Sequence, residues 1–352
     1  MRRVPIAIMC VLAAGVASIT AQKAASSAPE SLRTEFLKII SRPTTPLAPS
    51  PAKVTTANGY VQELVSFASE PNEQVPLLIL KKGERRGRQP VLIALHGTNG
   101  SKEGMRRLLE EYATHGFLAV AMDARHHGER ATPIPGLGNA YQSAMLRAFR
   151  TGESHPYLYD TVWDVMRLID YLSTRADVDP ARIGIIGNSK GGTEAYLAAA
   201  ADERIAAVVP LIGVQSFGWS LRHSAGWEAR VWTFRGAVEA AAADAREAVN
   251  GAFVRKFYDR IAPGLTDKFD GPAILPLIAP RPMLVVNGDS DPRSPLGGVK
   301  EAVGAAERAY AAARATDKFT FLLQTNAAHE VTPEASETVR KWLIRWLAPS
   351  VN

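Results

Sequence analysis

The sequence predicts an α/β protein: a mainly parallel sheet of about eight strands with helices on both faces. From Tyr60 onward, short apolar runs alternate with amphipathic stretches of helical length. The later strands are separated by such helical stretches, which requires right-handed crossovers between parallel strands. Composition agrees, since 46% hydrophobic and 22% charged residues is the balance of a folded globular chain, and 352 residues suffice for one large domain. No repeat at a fixed period is visible.

Met1-Arg2-Arg3, the apolar run from Val4 to Ala17 and the small residues ending at Ala21 read as an export signal over residues 1–21, cleaved after Ala21. An uncleaved anchor is the alternative, although the run is short for a bilayer span. The mature chain is therefore expected outside the cytoplasm, periplasmic or secreted, with no stable membrane insertion. The sole cysteine, Cys10, falls in that signal, so no disulfide or thiol chemistry is expected afterwards. Residues 22–55, with Pro43, Pro46, Pro49 and Pro51, read as an extended Pro/Ala/Ser-rich leader to a main domain over 56–350.

Candidate strands cover 61–67, 77–80, 91–95, 118–122, 183–186, 207–212, 283–286 and 319–323. Candidate helices cover 102–115, 160–175, 191–201, 296–315 and 333–347. The basic run Lys81-Lys82-Gly83-Glu84-Arg85-Arg86-Gly87-Arg88 reads as a solvated hairpin loop, and no basic stripe suggests a nucleic-acid partner. Residues 215–271 are too long for a connection and carry Trp219, Trp227, Trp232, Phe253, Phe257 and Tyr258. They read as a helical lid insertion over the carboxyl ends of the strands, where open α/β sheets bind ligands.

The chemistry begins at Gly187-Asn188-Ser189-Lys190-Gly191, a G-x-S-x-G between an apolar strand and a helix. A serine on that turn is exposed for attack, and glycines on either side let strand and helix approach. A serine hydroxyl is a weak nucleophile, so it needs a base, and the base needs an orienting group. Asp291, in the turn after strand 283–286, is the choice as orienter and Asp289 the competitor. His329 follows the last strand as base. The oxyanion of an acyl-transfer intermediate needs two backbone donors. Lys190 supplies one by position, and Thr98, in His96-Gly97-Thr98-Asn99-Gly100, is the candidate for the other. Adjacent His126 and His127 would point apart on a strand, with no carboxylates at ligand spacing, so no metal is expected. The Lys190 side chain either favours an acidic substrate or points into solvent, and solvent is the expectation because only its backbone is required.

Together His96-Gly97, Asp123-Ala124-Arg125-His126-His127-Gly128, the Ser189 turn, Gly288-x-x-Asp291 and His329 resemble the α/β-hydrolase superfamily over about residues 60–348. Asp177-Val178-Asp179-Pro180-Ala181-Arg182-Ile183-Gly184 and Ala279-Pro280-Arg281-Pro282 look like its dienelactone hydrolase and acetyl xylan esterase-like branch. The resemblance implies an α/β-hydrolase fold, a structural role for the 123–128 turn, and serine ester hydrolysis through Ser189, His329 and Asp291 with no cofactor. The substrate would be a small-molecule or carbohydrate-linked ester, with the oligomeric state left open. Two alternatives stand: a peptidase akin to the prolyl oligopeptidase family, against which the short region before residue 60 counts, and a non-catalytic relative of the fold.

Overall fold

The computed structural model describes residues 28–83, 87–132, 139–223 and 226–348; the expected export signal, residues 1–21, lies outside them. Nine strands form one sheet: β1 (Lys53–Ala57), β2 (Tyr60–Glu70), β3 (Glu73–Lys82), β4 (Gln89–Leu95), β5 (Leu118–Met122), β6 (Val178–Asn188), β7 (Ile205–Leu211), β8 (Met283–Gly288) and β9 (Phe319–Gln324). Their spatial order is β1-β2-β3-β5-β4-β6-β7-β8-β9. β1, β2, β3 and β5 pair antiparallel in succession, and from β5 to β9 every neighbouring pair is parallel.

The central strands are apolar without a break because both faces are covered. Val91, Ile93 and Leu95 point into one core while Leu92 and Ala94 point into the other, and the Leu77/Ile79 and Leu78/Leu80 pairs divide the same way. In chain order the helices are α1 (Ala28–Ile40), α2 (Arg106–Thr114), α3 (Ala140–Thr151), α4 (Tyr159–Ser173), α5 (Lys190–Ala201), α6 (Phe217–Arg222), α7 (Trp227–Val231), α8 (Arg235–Ala245), α9 (Gly251–Ile261), α10 (Gly271–Ile274), α11 (Leu296–Ala312) and α12 (Pro333–Leu347). α2 and α12 cover one face; α1, α4, α5, α11 and the inserted helices cover the other.

Three expectations change. The sheet has a ninth strand, β1, whose five residues are all exposed and so give no apolar signal. The leader is not extended throughout: residues 28–40 are helical, with Leu32, Phe36 and Ile40 at i, i+4 and i+8 facing the core. Phe36 packs edge-on against Tyr159 at 5.3 Å, and Arg33 donates to the carbonyls of Ala200 and Leu277, both at 2.9 Å. The basic segment after Lys82 is no hairpin, because β3 and β4 do not pair and β5 lies between them.

Two loops at the carboxyl ends of β4 and β5 are locked together. Asp123 is fully buried; it accepts the backbone N–H of Lys102 at 2.8 Å and its ammonium at 3.0 Å. His96 accepts the Ala124 N–H at Nε2, 3.1 Å, which leaves the proton on Nδ1 to donate to the Gly97 carbonyl at 2.8 Å. That neutral form is enforced by burial and by the nearby Lys190 charge, which lower the His96 pKa to about 4.

The unfolded chain, with ordinary histidines, binds more protons than the folded one between about pH 6.5 and 4, so stability is full above that window and falls on acidification through it. His96 alone should contribute a loss of about 2 kcal/mol between pH 7 and pH 5. Denaturant titrations at both pH values should show a steeper acid loss for the wild type than for His96→Asn; equal slopes would refute the assignment. Phe36→Ala should lower stability by about 3–5 kcal/mol, and a shift under about 1 kcal/mol would mean that α1 is not part of the core.

Candidate active site

β6 ends and α5 begins at Ser189, whose backbone angles are φ 57° and ψ −115°. A non-glycine residue at positive φ is held there only by its surroundings. The flanking glycines are sterically required: a Cβ on Gly187 would stand 2.0 Å from the Gly191 carbonyl oxygen, and one on Gly191 would stand 2.4 Å from the Leu95 oxygen. The Ser189 N–H donates to the Leu211 carbonyl at 2.8 Å, tying the turn to β7. The hydroxyl is thereby presented beyond the carboxyl end of the central strands, at the positive end of α5.

Asp291 and His329 arrive at the same edge from the turns after β8 and β9. Ser189 Oγ lies 2.7 Å from His329 Nε2, and His329 Nδ1 lies 2.7 Å from Asp291 Oδ2. Asp291 is 3% exposed, and its other oxygen accepts the Arg293 N–H at 2.8 Å. With Nδ1–H donating to the carboxylate, Nε2 is left as acceptor for the serine proton, which is the tautomer a base requires. The Asp289 carboxylate instead accepts from Ser290 Oγ at 2.8 Å.

Thr98 lines the cleft beside Ser189, and a Cβ on Gly97 would lie 3.5 Å from Ser189 Cβ, so this loop runs against that serine. Among the described residues the N–H groups of Thr98 and Lys190 donate to no protein acceptor, which leaves both free to bind a developing oxyanion. The Lys190 side chain does not reach solvent as expected. Its ammonium is buried and bonds Glu194 Oε1 at 2.5 Å, one helical turn on, and lies 5.6 Å from the Tyr141 ring centroid. Glu194 is fully buried, and burial raises its pKa against the pull of Lys190.

His126 and His127 lie in a turn rather than on a strand, His126 at φ 62°. His127 is buried against Tyr141, 4.6 Å between ring centroids, and donates Nδ1–H to the Arg125 carbonyl at 2.7 Å. Arg125 and Arg130 grip Asp164, so the 123–130 turn is a brace beside the site. Among the described residues no cluster of His, Cys, Asp or Glu could hold a metal ion, and no helix is long and apolar enough to cross a membrane.

The cleft over Ser189 has a volume of about 50 Å³. One wall comes from the insertion, through Ala229, Arg230, Trp232 and Thr233, and the rest includes Tyr157, Gln215, Arg293 and Ser294. Of the insertion aromatics, Phe253, Phe257 and Tyr258 are buried in the core, while Trp219 stacks on His223. Only Trp232 both lines the cleft and stands exposed, at 58%. Sequence reasoning missed Arg230, Arg293, Gln215 and Tyr157, which carry no motif and come together only through the fold.

The acetyl xylan esterase family model matches residues 41–216, half of the chain, and the prolyl oligopeptidase family model matches residues 147–351. A protein of Bacillus subtilis (strain 168) named as a hydrolase, YtaP, is 26% identical over 78% of this chain and 85% of its own length. Among solved structures, acetyl xylan esterase 1 from Thermoanaerobacterium sp. JW/SL YS485 superposes with a TM-score of 0.65 at 17% identity, over 91% of this chain and 94% of that one. The acetyl xylan esterase from Paenibacillus sp. R4 gives 0.60 at 20% identity, over 91% and 92%. A glucuronoyl esterase from Solibacter usitatus gives 0.57 at 16%, over 88% and 91%. With a nine-stranded, mostly parallel sheet, a serine on the turn after β6 and these models matching overlapping parts of the sequence, the chain belongs to the α/β-hydrolase superfamily, in its acetyl xylan esterase-like family.

Proposed function

We propose that the protein is an exported serine esterase that removes a small acyl group, such as acetyl, from a carbohydrate or another small alcohol. The observation that carries this reading is the hydrogen-bonded chain Ser189–His329–Asp291, 2.7 Å at each link, on a turn that holds the serine in a strained conformation. In the cycle, Ser189 Oγ attacks the ester carbonyl as His329 Nε2 takes its proton. The N–H groups of Lys190 and Thr98 hold the oxyanion, and Asp291 stabilises the imidazolium. The protonated His329 then gives its proton to the departing alcohol, leaving an acyl-enzyme. Water, deprotonated by the same His329, attacks that acyl group and releases the acid. Acyl transfer of this kind needs no cofactor.

A cleft of about 50 Å³ favours a short acyl chain, since it has room for only a few water-sized groups. The names of the acetyl xylan esterase neighbours point the same way, and the glucuronoyl esterase neighbour extends the range to other carbohydrate-linked esters. A peptidase is the second reading, favoured by the prolyl oligopeptidase match over residues 147–351. The same three residues would then cleave an amide.

Hydrolysis of p-nitrophenyl acetate, butyrate and octanoate should decline with chain length. Ser189→Ala should lower kcat by at least about 10³-fold, and Asp291→Asn by about 10²- to 10⁴-fold with little change in KM. Activity surviving in Ser189→Ala would overturn the nucleophile. Turnover of a prolyl p-nitroanilide in preference to every ester would shift the function to the peptidase.

A further inference from the structure

Three arginines are buried among the described residues, Arg125, Arg167 and Arg230. Arg125 pairs with Asp164 and Arg167 with Asp170, but Arg230, 4% exposed, forms no ion pair. Its terminal nitrogens donate to the Gln215 side-chain oxygen and the Arg293 carbonyl, its guanidinium lies 5.1 Å from the Phe217 ring centroid, and its Nε is buried without a partner. An uncompensated buried cation is strongly unfavourable. Arg230 lies in the wall of the cleft that holds Ser189 and His329.

The rest of that cleft shares the imbalance. Arg293 also lines it, likewise without an ion pair among the described residues, with its guanidinium 5.6 Å from the Trp232 ring centroid. Its backbone N–H holds Asp291, so the residue is anchored beside the triad acid. The Lys190 charge is taken up by Glu194. Among the described residues no aspartate or glutamate lines the cleft, so neither guanidinium there has a carboxylate partner.

We propose that Arg230 and Arg293 form an anion subsite, and that the substrate is an ester bearing a carboxylate close to the scissile carbonyl. The planar guanidinium fork matches a carboxylate in shape as well as charge. Because both guanidinium groups line the cleft that holds Ser189, the carboxylate and the ester belong to one compact molecule or to adjacent groups of a larger one. The inference rests on the ester-hydrolase reading, whose chemistry it leaves unchanged.

The test compares mono-p-nitrophenyl succinate, an anion at neutral pH, with p-nitrophenyl butyrate, a neutral ester of similar size. The wild type should prefer the succinate ester at least tenfold in kcat/KM, with a preference that weakens as salt is raised. Arg230→Met and Arg293→Met should each reduce that ratio about tenfold or more, and Arg230→Lys should restore part of it. A wild-type ratio of one or less, or an equal loss on both esters in Arg230→Met, would overturn the subsite. If Arg230→Met does not fold, Arg293→Met and Arg230→Lys carry the comparison.

Binding separates this inference from the esterase reading. Ser189→Ala titrated calorimetrically with monomethyl succinate should show saturable binding that Ser189→Ala/Arg293→Met loses. Such binding without turnover of either ester by the wild type would sink the esterase reading and keep the subsite. Binding of inorganic phosphate or methyl sulfate in place of monomethyl succinate would refute a carboxylate ligand.

Discussion

Around Ser189 the first turn of α5 and the ends of β4 and β6 approach so closely that no side chain fits between them. Gly187 faces the Gly191 carbonyl and Gly191 faces the Leu95 carbonyl, and a methyl group at either position would overlap main-chain atoms. Closeness of this kind fixes the direction of α5, and with it the free N–H of Lys190 and the positive helix end on which Ser189 sits. It also holds Ser189 at positive φ, a strain of order 1–3 kcal/mol that the packing around α5 must offset. Every residue of α5 is buried, and four consecutive alanines, Ala198 to Ala201, let α1, α4 and the sheet close around it.

The loops that carry the other site residues owe their order to buried charges. Asp123 ties the 102 region to the 123–130 turn, and Asp164 ties that turn to α4 through Arg125 and Arg130. Burial alone would raise the Asp164 pKa, yet Arg130 and Arg125 hold it well below the usual carboxylate range. Lys190 and Glu194 make a third such pair directly behind Ser189. Buried pairs add little net stability over apolar packing, but each is destabilising to break because the abandoned charge stays buried. Their effect is therefore geometric: they hold loops to one arrangement in which Thr98, Ser189 and His329 converge. The Lys190 charge also disfavours protonation of His96 and His127, both already depressed by burial, which keeps their hydrogen bonds in a single tautomeric pattern.

The three positions of the proposed triad are legible because each follows an apolar strand, and the chain order Ser189, Asp291, His329 is a property of sequence. Spacing does not separate Asp291 from Asp289, whereas in the fold Asp291 turns inward to His329 and Asp289 bonds Ser290. α3 escaped notice because its residues, from Ala140 to Thr151, mix small, aromatic and basic side chains without a clean polar face; seven of them are buried. β1 carries no apolar alternation because neither of its faces is covered. Lys190 was misplaced for a related reason: a lysine after the nucleophile looks solvent-seeking until Glu194, four residues on, is seen to lie on the same buried face. Arg230 could not be singled out, because its significance lies in the lack of a carboxylate around it, and a sequence does not show what surrounds a side chain.

Chemistry and selectivity accordingly come from different parts of the chain. The sheet supplies Ser189, Asp291 and His329 from the ends of β6, β8 and β9, three parallel strands whose register is fixed by covered faces on both sides. The wall opposite them comes from α7 and the residues after it, short helical segments held to α6 and α9 through the Arg230–Phe217 contact and the Tyr258 hydroxyl, which bonds the Arg230 carbonyl at 2.6 Å, and to the turn after β8 through the Arg230 bond to the Arg293 carbonyl. Among the described residues Ser189, His329 and Asp291 take no side-chain hydrogen bond from the insertion, so a change in that wall bears first on the size and charge of the cleft. Arg293 is the exception that links the two, with its backbone on the triad acid and its carbonyl on Arg230. An anion drawn toward the guanidinium groups would thus bear on the segment that positions Asp291, so recognition of the substrate and orientation of the base share one residue.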